Sequence, residues 1–511
     1  MAFEQMLDEL QARRETALAM GGPEKLAKRR AEGMLNARER LDYLLDAGSF
    51  VESGLFATSV HKEVRHKTPA DGKLAGVGRI DGRPVALVSN DFTTLGASSS
   101  VVNMKKIRHM KKISIERGIP LILLGESTGA RMPDRMGASG RATMGQDPTE
   151  YRRLREAPMV SALLGKCYGS STWYSCMSDF TVMRRGAVMA VASSRVTSTA
   201  INQPVDPEEL GGWKLHAETT GLIDAVAASD EEALEIIKRY LSYLPSHCME
   251  APPAYPVPPG SEEGCKDILD ILPESRKRVY DVREIIRAIV DSDSMFELKA
   301  DFGTSLVTTF ARLNGKTIGV LANNPKSKGG AIDVDAMRKA TSFLVQCDSF
   351  NVPLLFLIDQ PGFLIGIAGE RQAAPGKIIN WMNALSLVTV PKIGLILRKD
   401  YGQAYLNMGG GQNSDAVLLW PTADLGFMDP EVGVSVLHNL KREEDPERFE
   451  QLRTELERDT SAWDLAAVYE GHMVIDPRET RSVLIDVFDT YRLRMTNGVG
   501  QHLLRAWPTS Y

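Results

Sequence analysis

GRIDGRPVALVSND at 78–91 and ARLNGKTIGVLANN at 311–324 are two copies of one pattern: an apolar run, an Asp-Gly or Asn-Gly pair, and a second apolar run. Gly82 and Gly315 set an offset of 233 residues between the copies. The same offset aligns Pro120 of RGIPLILLGESTGA with Pro353 of FNVPLLFLIDQPGF, then Pro158 with Pro391, and Tyr168-Gly169 with Tyr401-Gly402. Past that turn, Ser178-Asp179 aligns with Ser414-Asp415 at 236, so the later copy carries three inserted residues just beyond its second glycine turn. A repeat of this length decides the architecture before any single motif does.

Each copy reads in the same order. Asp81-Gly82 and Asn314-Gly315 supply the positive φ of a type I′ turn, so a β-hairpin opens each unit. A helical stretch follows, Val102 to Gly118 or Asp335 to Phe350, with apolar residues at mixed spacings of three and four. The runs PLILL and PLLFLI then read as buried parallel strands, each ending in an acid and a glycine turn, Glu126 to Gly129 and Asp359 to Gly362. A second strand and turn span Pro158 to Gly169 and Pro391 to Gly402. Alternating strand and helix with buried strands implies an α/β fold, with right-handed crossovers and a mainly parallel sheet in each half.

Residues 245–260, PSHCMEAPPAYPVPPG, hold six prolines and can form neither a helix nor a central strand. The expected organisation is a charged helical arm over 1–65, a first domain over 66–244, a linker over 245–260 and a second domain over 261–511. A net charge of -5 over 511 residues gives no global electrostatic reason to bind nucleic acid. No apolar run is long enough to span a membrane, and the charged start lacks a signal-peptide core, so a cytoplasmic location is expected. The five cysteines form no C-x-x-C pair and the eight histidines no H-E-x-x-H, so no metal is expected. Cys167 and Cys176, and likewise His216 and His438, read as packing residues.

Small residues follow a strand twice in each half: Gly96-Ala97-Ser98 and Gly169-Ser170-Ser171 in the first, Gly329-Gly330-Ala331 and Gly402-Gln403-Ala404 in the second. Tight turns alone would account for any one of them. Together they lie at strand ends of an open α/β sheet, where ligand crevices form. A helix starting at Gly169 or Gly402 would aim its first, unbonded amides at that crevice. Such amides suit a thioester oxygen becoming an enolate, and two halves would provide two such holes, one for each of two carbonyl compounds.

The chain resembles the β (carboxyltransferase) subunits of acyl-CoA carboxylases such as propionyl-CoA and methylcrotonyl-CoA carboxylase. The likeness runs through GMLNARERLDYLLDAGSFVE (33–52), DGRPVALVSNDFT (81–93), ESTGAR (126–131), SDFTVM (178–183), EELGGWKLHAETTG (208–221), QCDSFNVPLLFLIDQPGFLIG (346–366), LRKDYGQAY (397–405), WPTADLGFM (420–428) and VIDPRETR (474–481). It implies a crotonase-like fold in both halves and a homo-oligomer built of dimers, expected as a hexamer. It also implies a site where the N half of one protomer, binding acyl-CoA, meets the C half of its partner, receiving carboxybiotin. Neither a Met-Lys-Met biotin signature nor a nucleotide-grasp domain is present, so a biotin carboxylase and biotin carrier subunit (α) is the expected partner.

By resemblance, Gly169 and Ser170 correspond to the glycine pair that holds the acyl enolate, and Gly402 and Gln403 to the C-half pair that faces biotin; no protein base is required. Gly96, Ala97, Ser98, Gly129, Ala130 and Arg131 fall on the acyl side. Gly329, Gly330, Pro361, Gly362, Phe363 and Ala368 fall on the biotin side. Lys28, Arg29 and Arg30 are expected at CoA phosphates, against the competing reading of a solvated helix face.

The chain departs from the family where the chemistry is expected. ESTGAR stands for D-S-G-G-A-R, Tyr168-Gly169-Ser170-Ser171 for A-G-G-A, Gln403 for a glycine, and Ala368 for the aspartate of propionyl-type enzymes, which implies a different acyl group. The segment 132–153 reads either as a substrate-specific loop or as a solvated insertion. Two rivals keep the scaffold: a biotin-independent decarboxylase or thioester hydrolase, and a non-catalytic subunit.

Overall fold

The computed structural model describes residues 2–142 and 150–508; positions 143–149 of the expected loop lie outside the described residues. Two compact units span Met1–Met249 and Glu250–Tyr511, dividing inside the proline-rich segment. Among the described residues, no helix is long and apolar enough to cross a membrane.

The first unit contains β1 (Val51–Ser53), β2 (Lys73–Ile80), β3 (Arg83–Asn90), β4 (Leu121–Ser127), β5 (Met159–Tyr168), β6 (Phe180–Arg184), β7 (Val188–Ala190) and β8 (Ala225–Ala227). The second contains β9 (Phe296–Leu298), β10 (Leu306–Leu313), β11 (Lys316–Asn323), β12 (Leu354–Gln360), β13 (Lys392–Tyr401), β14 (Ala416–Leu419), β15 (Asp424–Gly426) and β16 (Met473–Val474). The sheet orders are β1-β2-β3-β4-β5-β6-β8 and β9-β10-β11-β12-β13-β14-β16, with β7 and β15 added beside β5 and β13. The two units therefore share one topology, that of two crotonase-like domains.

Register preserves the repeat residue by residue. Ala86 pairs with Leu121 and Leu121 with Met159, while Gly319 pairs with Leu354 and Leu354 with Lys392, all at the offset of 233. Asp81 and Asn314 take φ of 49° and 52° in the opening hairpins, as a type I′ turn requires. The shifted offset is equally visible: Asp179 N donates to Met159 O at 2.8 Å, and Asp415 N to Lys392 O at 2.7 Å.

The apolar runs form strands because both faces are covered; all seven residues of β12 are buried. The first crossover helix, Val101–Arg117, starts with a Ser100/Asn103 capping box and ends at Gly118, whose φ is 62°. Its counterpart, Val334–Ser349, starts at Asp333. Both match the expected stretches to within one residue. Each also buries one lysine against backbone carbonyls. Lys106 Nζ donates to Gly54 O, Ala70 O and Lys73 O, and Lys339 Nζ to Lys299 O, Phe302 O and Leu306 O. Each Nζ thus ties three backbone carbonyls to its helix.

Candidate active site

In the first unit, β5 ends at Tyr168 and the chain turns at Gly169, with φ 67° and ψ -134°, a conformation open in practice only to glycine. The helix Ser170–Met177 follows directly. Gly169 O accepts from Thr172 N at 2.9 Å and from Thr172 Oγ1 at 2.7 Å, which fixes the first turn. The Gly169 amide is occupied, donating to Val191 O at 3.2 Å. The N–H groups of Ser170 and Ser171 have no backbone acceptor among the described residues. The donor on this side is thus the residue after the glycine.

Opposite lies the strap that follows β4. Ser99 N donates to Gly129 O at 2.8 Å and Arg131 N to Ser99 O at 2.9 Å, a two-bond parallel bridge that presents Ala130 between them. Gly129 N is taken by Ser127 Oγ at 3.1 Å, whereas Ala130 N has no acceptor among the described residues. A Cβ built on Gly169 would stand 3.6 Å from Gly129 Cα, so turn and strap adjoin. Two uncommitted amides, from Ala130 and Ser170, thus lie on adjoining segments.

The other residues expected on the acyl side hold this geometry. Arg131 is buried with its Nη1 2.6 Å from Asp71 Oδ1, and Asp71 Oδ2 accepts from Asn103 N at 3.1 Å and from the Ser100 hydroxyl. The guanidinium therefore anchors the strap from behind. Gly96 and Ala97 lie in a 3-10 turn, Leu95–Ala97, capped by Ser98, in which Ala97 N and Ser98 N donate to Thr94 O and Leu95 O at 2.9 and 3.2 Å. Those amides are spent within the turn, so its part is to support Thr128, whose N–H reaches Gly96 O at 3.0 Å.

Glu126, the acid at the end of β4, is buried between Arg29 Nη2 and Arg40 Nη1, the latter at 3.2 Å. The structure thus corrects the expectation for Arg29. It is buried and committed to Glu126, while Lys28 and Arg30 are exposed and Arg30 pairs with Glu39 at 3.0 Å.

The second unit repeats the frame. Ile332 N donates to Gly362 O at 3.1 Å and Leu364 N to Ile332 O at 2.8 Å, presenting Phe363 where the first unit presents Ala130. Gly402, φ 66°, donates to Gly426 O at 3.0 Å, leaving the amides of Gln403 and Ala404 without backbone acceptors among the described residues. The expected helix from Gly402 is only one turn, Ala404–Asn407, because Gly409 and Gly411 at φ 87° and 61° break it within the inserted segment. Gly330 N is spent on Ser327 O at 2.9 Å, and a Cβ at Gly330 would meet Asp359 O at 2.5 Å. Asp359, the counterpart of Glu126, accepts from Arg398 Nε and Tyr280 OH, both at 3.0 Å. Gly329 takes φ of 64° in the same turn, and Pro361 and Ala368 are exposed.

Sequence reasoning missed three residues. Ser99 meets Ser170 across 71 positions of chain, a contact no local pattern announces. Asp71 gives no signal because its φ of 47° and its Arg131 partner are both tertiary. Asp400 lines a cavity of about 180 Å³ with Tyr405, Gly426 and Leu465. Burial pushes its carboxyl up to about 7, against the opposing Gln360 hydrogen bond at 2.7 Å. The repeat could have flagged Asp400, because its counterpart is Cys167. Among the described residues no group of three His, Cys, Asp or Glu could hold a metal.

Residues 28–493 match the carboxyl transferase domain family. The propionyl-CoA carboxylase carboxyltransferase subunit of Haloferax mediterranei is 34% identical over 95% of this chain and 96% of its own. The methylmalonyl-CoA carboxyltransferase 12S subunit of Propionibacterium freudenreichii is 33% identical over 98% and 97%. A transcarboxylase 12S crystal structure, a hexamer assembly with methylmalonyl-coenzyme A and methylmalonic acid bound, superposes with a TM-score of 0.88 at 32% identity over 95% of both chains. The chain therefore belongs to the carboxyl transferase family and is a carboxyltransferase subunit of the acyl-CoA carboxylase type.

Proposed function

We propose that this chain moves a carboxyl group from carboxybiotin, borne by a separate carrier subunit, to the α (or vinylogous) carbon of an acyl-CoA. The observation that carries this reading is the duplicated frame of uncommitted amides, Ala130 with Ser170 and Phe363 with Gln403. A single hole would serve a hydrolase. Two suit a reaction in which two carbonyl compounds are polarised.

In the first unit, the thioester oxygen takes the Ala130 and Ser170 N–H groups as its charge grows toward the enolate. Each such donor is typically worth about 2.7–4 kcal/mol of barrier. Arg131 and Asp71 keep the strap from relaxing, so the donors are aimed before substrate arrives. Lys28 and Arg30 are exposed and available to CoA phosphates.

The second unit fits biotin by its donor set and its shape. The Phe363 and Gln403 amides match a ureido carbonyl, and open space surrounds Gly362 and Gly366 where side chains would otherwise stand. Exposed Leu364, Ile365 and Ile367 offer an apolar ledge for a flat bicyclic ring. Carboxybiotin, when bound, supplies the activated carboxyl group. We further assign the protein to a hexamer built of dimers, with the N half of one protomer working against the C half of its partner, and to a biotin carboxylase and carrier subunit as companion.

Co-purification with an avidin blot, followed by an acyl-CoA screen for bicarbonate fixation, tests this function. Bicarbonate- and biotin-dependent carboxylation of a thioester is the expected result. Turnover of an acyl-CoA by the purified chain alone points to a decarboxylase or hydrolase instead, and assembly without any calorimetric acyl-CoA binding points to a non-catalytic subunit.

A further inference from the structure

We propose that the Ser99 and Ser170 hydroxyls together form a third, side-chain donor in the acyl-side oxyanion hole, a role that rests on the carboxyltransferase reading above. Their Oγ atoms lie 3.2 Å apart, and neither hydroxyl has another partner among the described residues. Each hydroxyl carries one hydrogen. One hydrogen closes the bond between them and the other has no acceptor among the described residues. That free O–H stands beside the Ser170 amide and next to the strap that presents Ala130.

Both serines are fixed in place. Ser99 is bonded through its N–H and its C=O to Gly129 and Arg131 and is 6% exposed, while Ser170 is the first residue of its helix. The pair is part-buried, so the O–H that lacks a protein acceptor can turn toward an anionic oxygen when one arrives. Between the serines and Lys73 lies a cavity of about 30 Å³, also lined by Asn90, Cys167 and Ser171. Apolar Val88, Ile107, Leu123 and Leu124 share its lining, and the space is of the order of a few waters. Lys73 Nζ, held by Asn90 Oδ1 at 3.1 Å and Ala97 O at 3.3 Å, places positive charge behind the hydroxyls. The corresponding positions of the second unit are Ile332 and Gln403, so the hydroxyl pair belongs to the acyl hole alone.

The test uses the full chain with its biotin-bearing partner and the variants Ser99→Ala, Ser170→Ala, the double variant and Ser170→Thr. Two quantities are measured: steady-state carboxylation, and affinity for a CoA thioether bearing a carboxylate in place of the thioester oxygen. Removing one oxyanion donor ordinarily lowers kcat by about 10²–10³. The expected loss here is about 10-fold or more in kcat for each alanine variant, with KM within about 2-fold. Affinity for the carboxylate thioether should fall by a similar factor. The double variant should be no worse than either single one, because the two hydroxyls act as a unit, and threonine should restore function.

Unchanged kcat in both alanine variants of an active enzyme overturns the proposal. So does a loss confined to KM, which would make the pair a recognition element for the acyl substituent. If the wild type transfers no carboxyl group at all, the functional reading fails, while the thioether comparison still decides whether the hydroxyls bind an anionic oxygen.

Discussion

Replacing Gly169 with valine separates the catalytic geometry from the fold. The ideal Cβ at this position meets only Gly129 Cα, at 3.6 Å, which is ordinary contact, so space is not the obstacle. The obstacle is the backbone. At φ 67° and ψ -134°, a β-branched residue is strained by about 1–3 kcal/mol. The chain relieves that strain by rotating the 169–170 peptide, which carries the Ser170 N–H. That rotation also takes Gly169 O away from Thr172, while the Gly169 N–H bond to Val191 O, on the preceding peptide, stays in place. Loss of a single aligned donor costs about 2.7–4 kcal/mol of barrier, or roughly 10²–10³ in kcat. The strain itself lowers the thermal midpoint by only a few degrees, at about 2–4 °C per kcal/mol for domains of this size. Single-turnover carboxylation of the acyl-CoA, alongside size-exclusion chromatography and thermal melting, measures both effects. An intact oligomer with wild-type turnover would refute the assignment of this turn.

Arg131→Met leaves the buried Asp71 carboxylate without its guanidinium, a change worth about 3–5 kcal/mol, so the melting temperature should fall by roughly 10 °C. Adding Asp71→Asn should restore part of it. Asp400 is held protonated by burial up to about 7, so the native state binds the extra proton between its unfolded value near 4 and that point. Its contribution to stability is complete at low pH and declines as pH rises to about 7. Asp400→Asn should therefore raise the melting temperature at pH 8 by roughly 4 °C or more while leaving it nearly unchanged at pH 4. Arg29→Ala strands Glu126 beside Arg40 and should lower thermal stability. Lys28→Ala should leave stability alone and weaken acyl-CoA binding about 2- to 5-fold, an effect that fades at high salt as screening grows; calorimetry at two ionic strengths measures it.

The fold was legible because its determinants are periodic. Asp81-Gly82 and Asn314-Gly315 mark hairpins by local φ requirements, and the apolar runs before Glu126 and Asp359 mark strands buried on both faces. The offset of 233 survives into strand register because insertions within a packed sheet flip side chains to the wrong face, and the three extra residues sit instead where β13 has already ended. The site was legible only to its turns. Gly169 and Gly402 were found by conformation, yet their own amides are consumed by Val191 and Gly426, and the neighbouring residues carry the donors. Which amide is consumed depends on β7 and β15 passing alongside, a tertiary fact. Charge gave the least reliable signal. Lys28, Arg29 and Arg30 read alike along the chain, but only Arg29 turns inward to a buried acid 97 residues away.

The most direct test is a crystal structure of the protein with an unreacted acyl-CoA bound. The thioester oxygen should lie within about 3.1 Å of both Ala130 N and Ser170 N. A thioester turned away from these amides, or either amide bonded to a protein carbonyl in the complex, would contradict it.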